Sequence, residues 1–159
     1  MTPSPANSVP LPPLDDVAKA IIAQLQTDGR RSYAAIGKEV GLSEAAVRQR
    51  VQKLTDAGVM QIVAVTDPLQ LGFARQAMVG VKVARGAREV AAAMAKIDEI
   101  DYVVITTGRF DLLAEVVCET DDRLLDIITE QIGSIEHVTS TETFLYLKLA
   151  KQTYAWGVR

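Results

Sequence analysis

A chain of 159 residues with 48% hydrophobic and 23% charged side chains is globular in composition, long enough for one ordinary domain or two small ones. Two small ones would have thin cores, because a domain of ~60 residues buries only about 60% of the surface its unfolded chain exposes, so oligomerisation would have to complete the burial. One cysteine, Cys118, excludes an internal disulfide, and with one histidine, His137, there is no Cys/His metal cluster; no apolar stretch approaches the roughly 18 residues that span a bilayer. No cofactor, metal or membrane partner is therefore expected, and a cytoplasmic protein fits best.

The leader 1–13, MTPSPANSVPLPP, holds five of the six prolines and no charge, and reads as a disordered tail. The net charge of −3 argues against bulk attraction to nucleic acid, yet residues 14–66 carry seven Lys/Arg against six acids, so any DNA contact has to come from this part. Leu14, Val17, Ile21, Ile22 and Leu25 recur at helical spacing, with Asp15 and Asp16 near the N-terminus where the dipole favours them. Ser32 is placed to cap a short second helix, Tyr33 to Val40, which Gly41 ends. Ser43 caps a third, whose inward stripe is Val47, Val51 and Leu54, and Gly58 closes it. The segment VMQIVAVTDP is rich in β-branched residues and predicts a strand over 59–66 that leaves the helical unit.

Beyond the linker 59–74, residues 75–85 place Ala77, Val79, Val81 and Val83 on one face of a strand, and 88–97 is a helix of strong formers. DYVVITTG and FDLLAEVVCE are two strands meeting at Gly108-Arg109 in a tight hairpin. Then DDRLLDIITEQIG puts Leu124, Leu125, Ile128 and Ile132 on one helical side, and 137–149 alternates as a long strand through Thr139, Thr141, Thr143, Leu145, Leu147 and Leu149. The order β-α-β-β-α-β is the ferredoxin-like arrangement, so the fold class is α+β. The expected domains are a helix-turn-helix unit at 14–58, the linker 59–74, a ferredoxin-like unit at 75–151 and a tail at 152–159.

Two helices joined by a short glycine turn are a helix-turn-helix signature when the second presents a polar outer face. The third helix shows Ala45, Arg48, Gln49, Gln52 and Lys53 outward. Arg and Gln can bond guanine and adenine edges bidentately in the major groove, the small Ala45 allows close approach, and the terminus capped by Ser43 can meet a phosphate. An ordinary solvated basic face on a three-helix core accounts for the spacing equally well.

The stretch LDDVAKAIIAQLQTDGRRSYAAIGKEVGLSEAAVRQRVQKLTDAGVM decides more. It resembles the winged-type helix-turn-helix of the Lrp/AsnC, or feast/famine, transcription regulators, through Leu14-Asp15, Asp28-Gly29-Arg30, Gly41-Leu42-Ser43, Arg50-Val51 and Gly58-Val59-Met60. The second half resembles that family's effector domain through Gly108-Arg109-Phe110-Asp111 and Thr141-Glu142-Thr143-Phe144. One departure is Ala18, where the family often has a second aspartate, which leaves open what an arginine such as Arg50 would pair with.

The resemblance implies a sequence-specific DNA-binding regulator, not an enzyme. The third helix would be the recognition helix, with Ser32 and Tyr33 crossing the backbone, and Arg50 either touching phosphate or bridging helices. It further implies a homodimer, assembling to tetramers or octamers, that presents two recognition helices ~34 Å apart to a pseudo-palindromic operator in double-stranded DNA. A small effector, a free amino acid, would bind between subunits. Gly108 would allow backbone approach, Arg109 and Phe110 would flank it, Asp111 would take its ammonium, and Thr139 and Thr141 its carboxylate. Gly-Arg-Phe-Asp also reads as a plain hairpin turn capped by its aspartate, and the threonines as strand formers. Two other classes are an architectural DNA-binding protein without an effector, and a ferredoxin-like enzyme subunit using Arg109, Asp111 and His137. Cys118 reads as a small apolar filler.

Overall fold

The computed structural model describes residues 14–153. The leader expected at 1–13 and all but the first two residues of the tail expected at 152–159 lie outside the described residues. The chain divides into two compact units, one running up to Ala64 and the other Val65–Ala150.

The first unit holds three helices, α1 (Asp16–Thr27), α2 (Tyr33–Val40) and α3 (Glu44–Asp56). Each starts at a side-chain cap that satisfies a backbone donor the helix itself leaves unpaired: Asp15 accepts from the Ala18 N–H, Ser32 from Ala35 and Ser43 from Ala46. Gly41 ends α2 at a φ of 72°, a left-handed conformation that costs glycine nothing. The expected stripe of α3 is the buried one: Val47 and Val51 pack with Ile21, Leu25 and Ile36, and Leu54 packs with Ala18 and Ile22. Gly37 lies at the crossing of α2 and the turn, where a Cβ would sit 2.4 Å from the Leu42 carbonyl oxygen.

The strand expected over 59–66 does not form, and no strand that would make a wing follows α3 among the described residues. An extended segment keeps its geometry by pairing, and this one has no neighbouring strand among the described residues; Ile62 and Val63 stand 47% and 66% exposed. The units divide at 64/65, inside the expected linker 59–74.

The second unit is a four-stranded antiparallel sheet of order β2-β3-β1-β4, from β1 (Arg75–Val83), β2 (Ile100–Ile105), β3 (Leu112–Cys118) and β4 (Val138–Leu145). Helices α4 (Ala87–Met94) and α5 (Asp121–Asp126) cover one face. The predicted β1 face is the core: Ala77, Val79 and Val81 are fully buried beside Val116, Ala114 and Leu112 of β3, with Val83 partly buried at the end.

Three expectations change. The helix after β3 buries Leu124, Ile127 and Ile132, while Leu125 is 58% exposed and Ile128 only partly packed. The cause is a π turn, Ile127–Ile132, whose wider winding rotates the stripe, so Ile127 and Ile132 fall on one side. The hairpin at Gly108-Arg109 is not tight: β2 ends at Ile105 and β3 begins at Leu112, and the connection 106–111 is closed by the Thr106 N–H donating to the Asp111 carbonyl. The last strand stops at Leu145, short of Leu147 and Leu149: Leu145 pairs with Ala77 of β1, and one further backbone bond, from the Tyr146 N–H to the Gln76 carbonyl, follows it.

Gly37→Ala should destabilise the first unit despite the better helix propensity of alanine, which is worth about 1 kcal/mol. The clash is with backbone, so a loss of about 1–3 kcal/mol, as for overpacking, is expected in urea unfolding followed by far-UV circular dichroism.

Candidate functional sites

On α3 the outward residues separate into free and engaged groups. Arg48 is 65% exposed and doubly held: its Nη2 donates to Glu44 Oε1 at 2.9 Å one turn back, and its guanidinium lies 5.2 Å above the Tyr33 ring. Tyr33 is half-buried against the three-helix core, so the platform under Arg48 is anchored from α2. Gln49 and Lys53 are exposed, as is Ala45 at the capped end, whereas Gln52 donates to Asp56 at 2.7 Å along the helix. Ser32 and Ser43 spend their hydroxyl oxygens on the caps of α2 and α3.

Arg50 bridges helices. Its Nη1 contacts both oxygens of Asp15, at 2.7 and 3.0 Å, across from the buried Ala18 that stands where the family often has an aspartate. Asp15 thus serves twice, as the cap of α1 and as the anchor of α3. Its place in the helix dipole is legible from the sequence, whereas its second role depends on Arg50, 35 residues away, whose partner the sequence leaves open. The bound Arg50 guanidinium, then the Ala18 N–H, hold the Asp15 carboxyl below the usual carboxylate range.

In the second unit the Gly108–Asp111 connection leans over the uncovered face of the sheet. Gly108 has a φ of 126°. Arg109 pairs with Glu142 of β4 at 2.6 Å and lies 5.3 Å from the Phe110 ring. Phe110 rests on Gly80, where a Cβ would sit 2.7 Å from the ring, and meets Phe144 edge-on at 6.1 Å. Asp111 is the strut of the turn: Oδ2 accepts from the Val83 N–H at 2.9 Å, and its own N–H donates to the Val81 carbonyl. The carboxylate expected to hold an ammonium is therefore already half engaged in closing β1.

The threonines do not join this group on one face. Thr141 pairs with Val81 and shares the helix-covered side, whereas Gly80, Glu142 and Phe144 share the open side. Thr139 donates its hydroxyl to the Lys82 carbonyl at 3.1 Å. Cys118 is fully buried, and burial pushes its thiol up, as suits a core residue. His137 precedes β4 at a φ of 77°, the one non-glycine residue with positive φ among those described. No group of three or more His, Cys, Asp or Glu side chains among the described residues could hold a metal, and no helix there is long and apolar enough to cross a membrane.

A helix-turn-helix with a short turn, followed by this sheet order, has close counterparts. Residues 14–55 match the AsnC-type helix-turn-helix domain, and residues 75–159 match the C-terminal dimeric alpha+beta barrel domain of AsnC regulators. The chain belongs to the Lrp/AsnC family of transcriptional regulators. It is 38% identical over 143 residues to the HTH-type transcriptional regulator FL11 of Pyrococcus horikoshii, covering 89% of this chain and 94% of that one. It is 28% identical over 139 residues to the regulatory protein AsnC of Escherichia coli, covering 85% and 91%. The solved structure of that AsnC superposes with a TM-score of 0.75 at 27% identity, covering 87% of this chain and 95% of that one. A transcriptional regulator of Neisseria meningitidis, solved as a complex with L-Met, superposes at 0.79 with 26% identity, covering 89% and 94%. Members of the family are regulators rather than enzymes, and the helix-turn-helix makes DNA their target.

The Asp15–Arg50 pair should give the first unit a pH dependence of definite sign. Because the folded carboxyl is held low, its contribution is complete above the unfolded value near 3.9 and is lost as pH falls through the lower folded value. Wild type should exceed Asp15→Asn in thermal stability at neutral pH, with the difference closing below about pH 4; a pH-independent difference would mean the ion pair contributes nothing.

Proposed function

We propose that this chain is a sequence-specific DNA-binding regulator that reads its operator with α3 and changes its DNA binding or assembly when a free amino acid binds the second unit. The observation that carries the DNA reading is Arg48, exposed yet held over Tyr33 and against Glu44 on a capped helix. A guanidinium already oriented loses less entropy on meeting a guanine edge than a free one. Gln49, Lys53 and the Ala45 end lie beside it as further contacts, and Arg50 fixes the pose of α3 from behind.

A pseudo-palindromic operator needs two copies of α3, and the second unit offers the surface for a dimer. The open face of its sheet carries Tyr102 and Phe144, 51% and 45% exposed, around Phe110 and a polar group in which Gln76 donates to Glu115. Burial, with Glu115 beside it, pushes the nearby Tyr146 phenol up to about 12. Pairing this face with a second copy would bury it, in keeping with the dimeric barrel of the matching family domain. The apolar residues 62–65 would gain a partner strand in the same assembly, and tetramers or octamers would grow from such dimers. The amino-acid effector is supported by the L-Met complex of the Neisseria relative.

Arg48→Ala should weaken binding to a selected operator by about 1–3 kcal/mol and binding to random DNA by much less, measured by fluorescence anisotropy at fixed salt. Equal losses on both would make Arg48 a phosphate contact. Phe144→Glu, at an exposed position, should turn the dimer into a folded monomer in sedimentation experiments, and an unaltered dimer would move the interface elsewhere.

A further inference from the structure

Arg48 has two neighbours, and they occupy different parts of its guanidinium. Tyr33 takes the flat face, with its ring centroid 5.2 Å from the guanidinium carbon, and leaves the N–H edge free. Glu44 takes an edge donor, Nη2, at 2.9 Å, and brings a full negative charge into contact. Both charged side chains stay in water, 65% and 53% exposed, so the pair adds little to stability. Its effect falls instead on what Arg48 can attract.

The rest of α3 offers no excess of positive charge. Its exposed charged residues are Glu44, Arg48, Lys53 and Asp56, two acids and two bases, while Arg50 is committed to Asp15. Glu44 is also the acid in the first turn, where its carboxylate offsets the positive end of the helix. The capped terminus, read from the sequence as a place for a phosphate, thus carries an anion of its own. A face without net charge draws little on the phosphate backbone, the part of DNA that every sequence shares.

A base edge is a different partner from a phosphate. Guanine presents two neutral acceptors, N7 and O6, and binds through short-range hydrogen bonds. Phosphate attracts through its net charge, over roughly a Debye length of ~8 Å at physiological salt. With the counter-charge bonded to the guanidinium, most of that longer-range attraction cancels. The bond consumes one of the guanidinium donors and leaves Nε and Nη1 for a base.

We propose that Glu44 is a specificity-determining residue of α3, a built-in counter-charge that makes Arg48 a poor phosphate contact while keeping it a competent reader of a base edge. The inference rests on the base-reading role of Arg48 above and gives Glu44 the part of rejecting other DNA. Glu44 acts through Arg48, so it is a positioning residue and not itself a base contact.

Fluorescence anisotropy of the full chain, with a selected operator duplex and a scrambled duplex of equal length across a range of KCl concentrations, tests it. Glu44→Gln keeps the size of the side chain and removes the charge. It should tighten binding to the scrambled duplex roughly three- to tenfold and steepen the salt dependence there by about 0.9 in log Kd per log of salt concentration, the signature of one added phosphate contact. The operator should gain much less, so the ratio of the two affinities falls. In the Arg48→Ala background the same change should leave that ratio unaltered, because Glu44 then has no guanidinium to counter. Scrambled-duplex binding and a salt slope that Glu44→Gln leaves as in wild type would overturn the proposal. So would equal tightening on both duplexes, which would make Glu44 a plain repulsive charge, or a fall in the ratio as large without Arg48 as with it. Failure of the underlying reading looks different: Arg48→Ala alone would then weaken both duplexes equally, whatever residue stands at position 44.

Discussion

A sheet has two faces, and in the second unit the helices cover only one. Val79, Val81, Ala114 and Val116 disappear under α4 and the α5–π-turn element, while Phe110, Phe144 and Tyr102 on the other side are left to water. That asymmetry follows from the β-α-β-β-α-β order, in which both crossovers return on the same side. Much else depends on it. Glycine at position 80 admits the Phe110 ring onto the open face, and the Arg109–Glu142 pair ties the connecting turn down beside it. Left uncovered, this face exposes apolar surface of the kind that marks association.

The first unit answers a different constraint, that of a core too small to hold a helix by burial alone. Ile21, Ile36 and Val47 are fully buried, and around them polar contacts complete the definition of α3. The Ser43 cap sets where it begins, and the Asp15–Arg50 pair sets its rotation relative to α1. An exposed ion pair contributes little to stability, but here it orients the helix that carries Arg48, Gln49 and Lys53 on its outer side. Arg48 shows the complementary economy: the contacts to Glu44 and Tyr33 orient it without burying it.

What could be read from the residues divides along physical lines. Local chemistry was legible. Ser32, Ser43 and Gly41 mark helix ends by capping and left-handed backbone, and the spacing of Val47, Val51 and Leu54 or of Ala77, Val79 and Val81 reports which side is buried. Effects of winding and partnership were not. A π turn changes the period within a helix, so an even 3.6-residue stripe chose Leu125 and Ile128 where Ile127 is the buried residue. The 59–66 segment has strand composition, but a strand is a relation between two segments, and the described residues offer no second one. Among the candidate site residues, Arg48, Gln49 and Lys53 stand outward as read. The family resemblance joins Thr139 and Thr141 to the turn as carboxylate partners, whereas register against β1 puts Thr141 on the covered face. Asp111 was read for its charge, and its role in closing β1 depends on Val83, distant in sequence.

The two units have separate cores, which restricts how an amino acid in one could alter DNA binding by the other. A ligand shifts an equilibrium only by its differential affinity for the two states, so a bound amino acid must prefer one arrangement of the assembly. The adjustable parts are those that pairing has to complete: the open sheet face and the unpaired segment 59–66. The coupling then runs through how two copies meet, and hence through the separation of their α3 helices, with no change needed inside either DNA-binding unit.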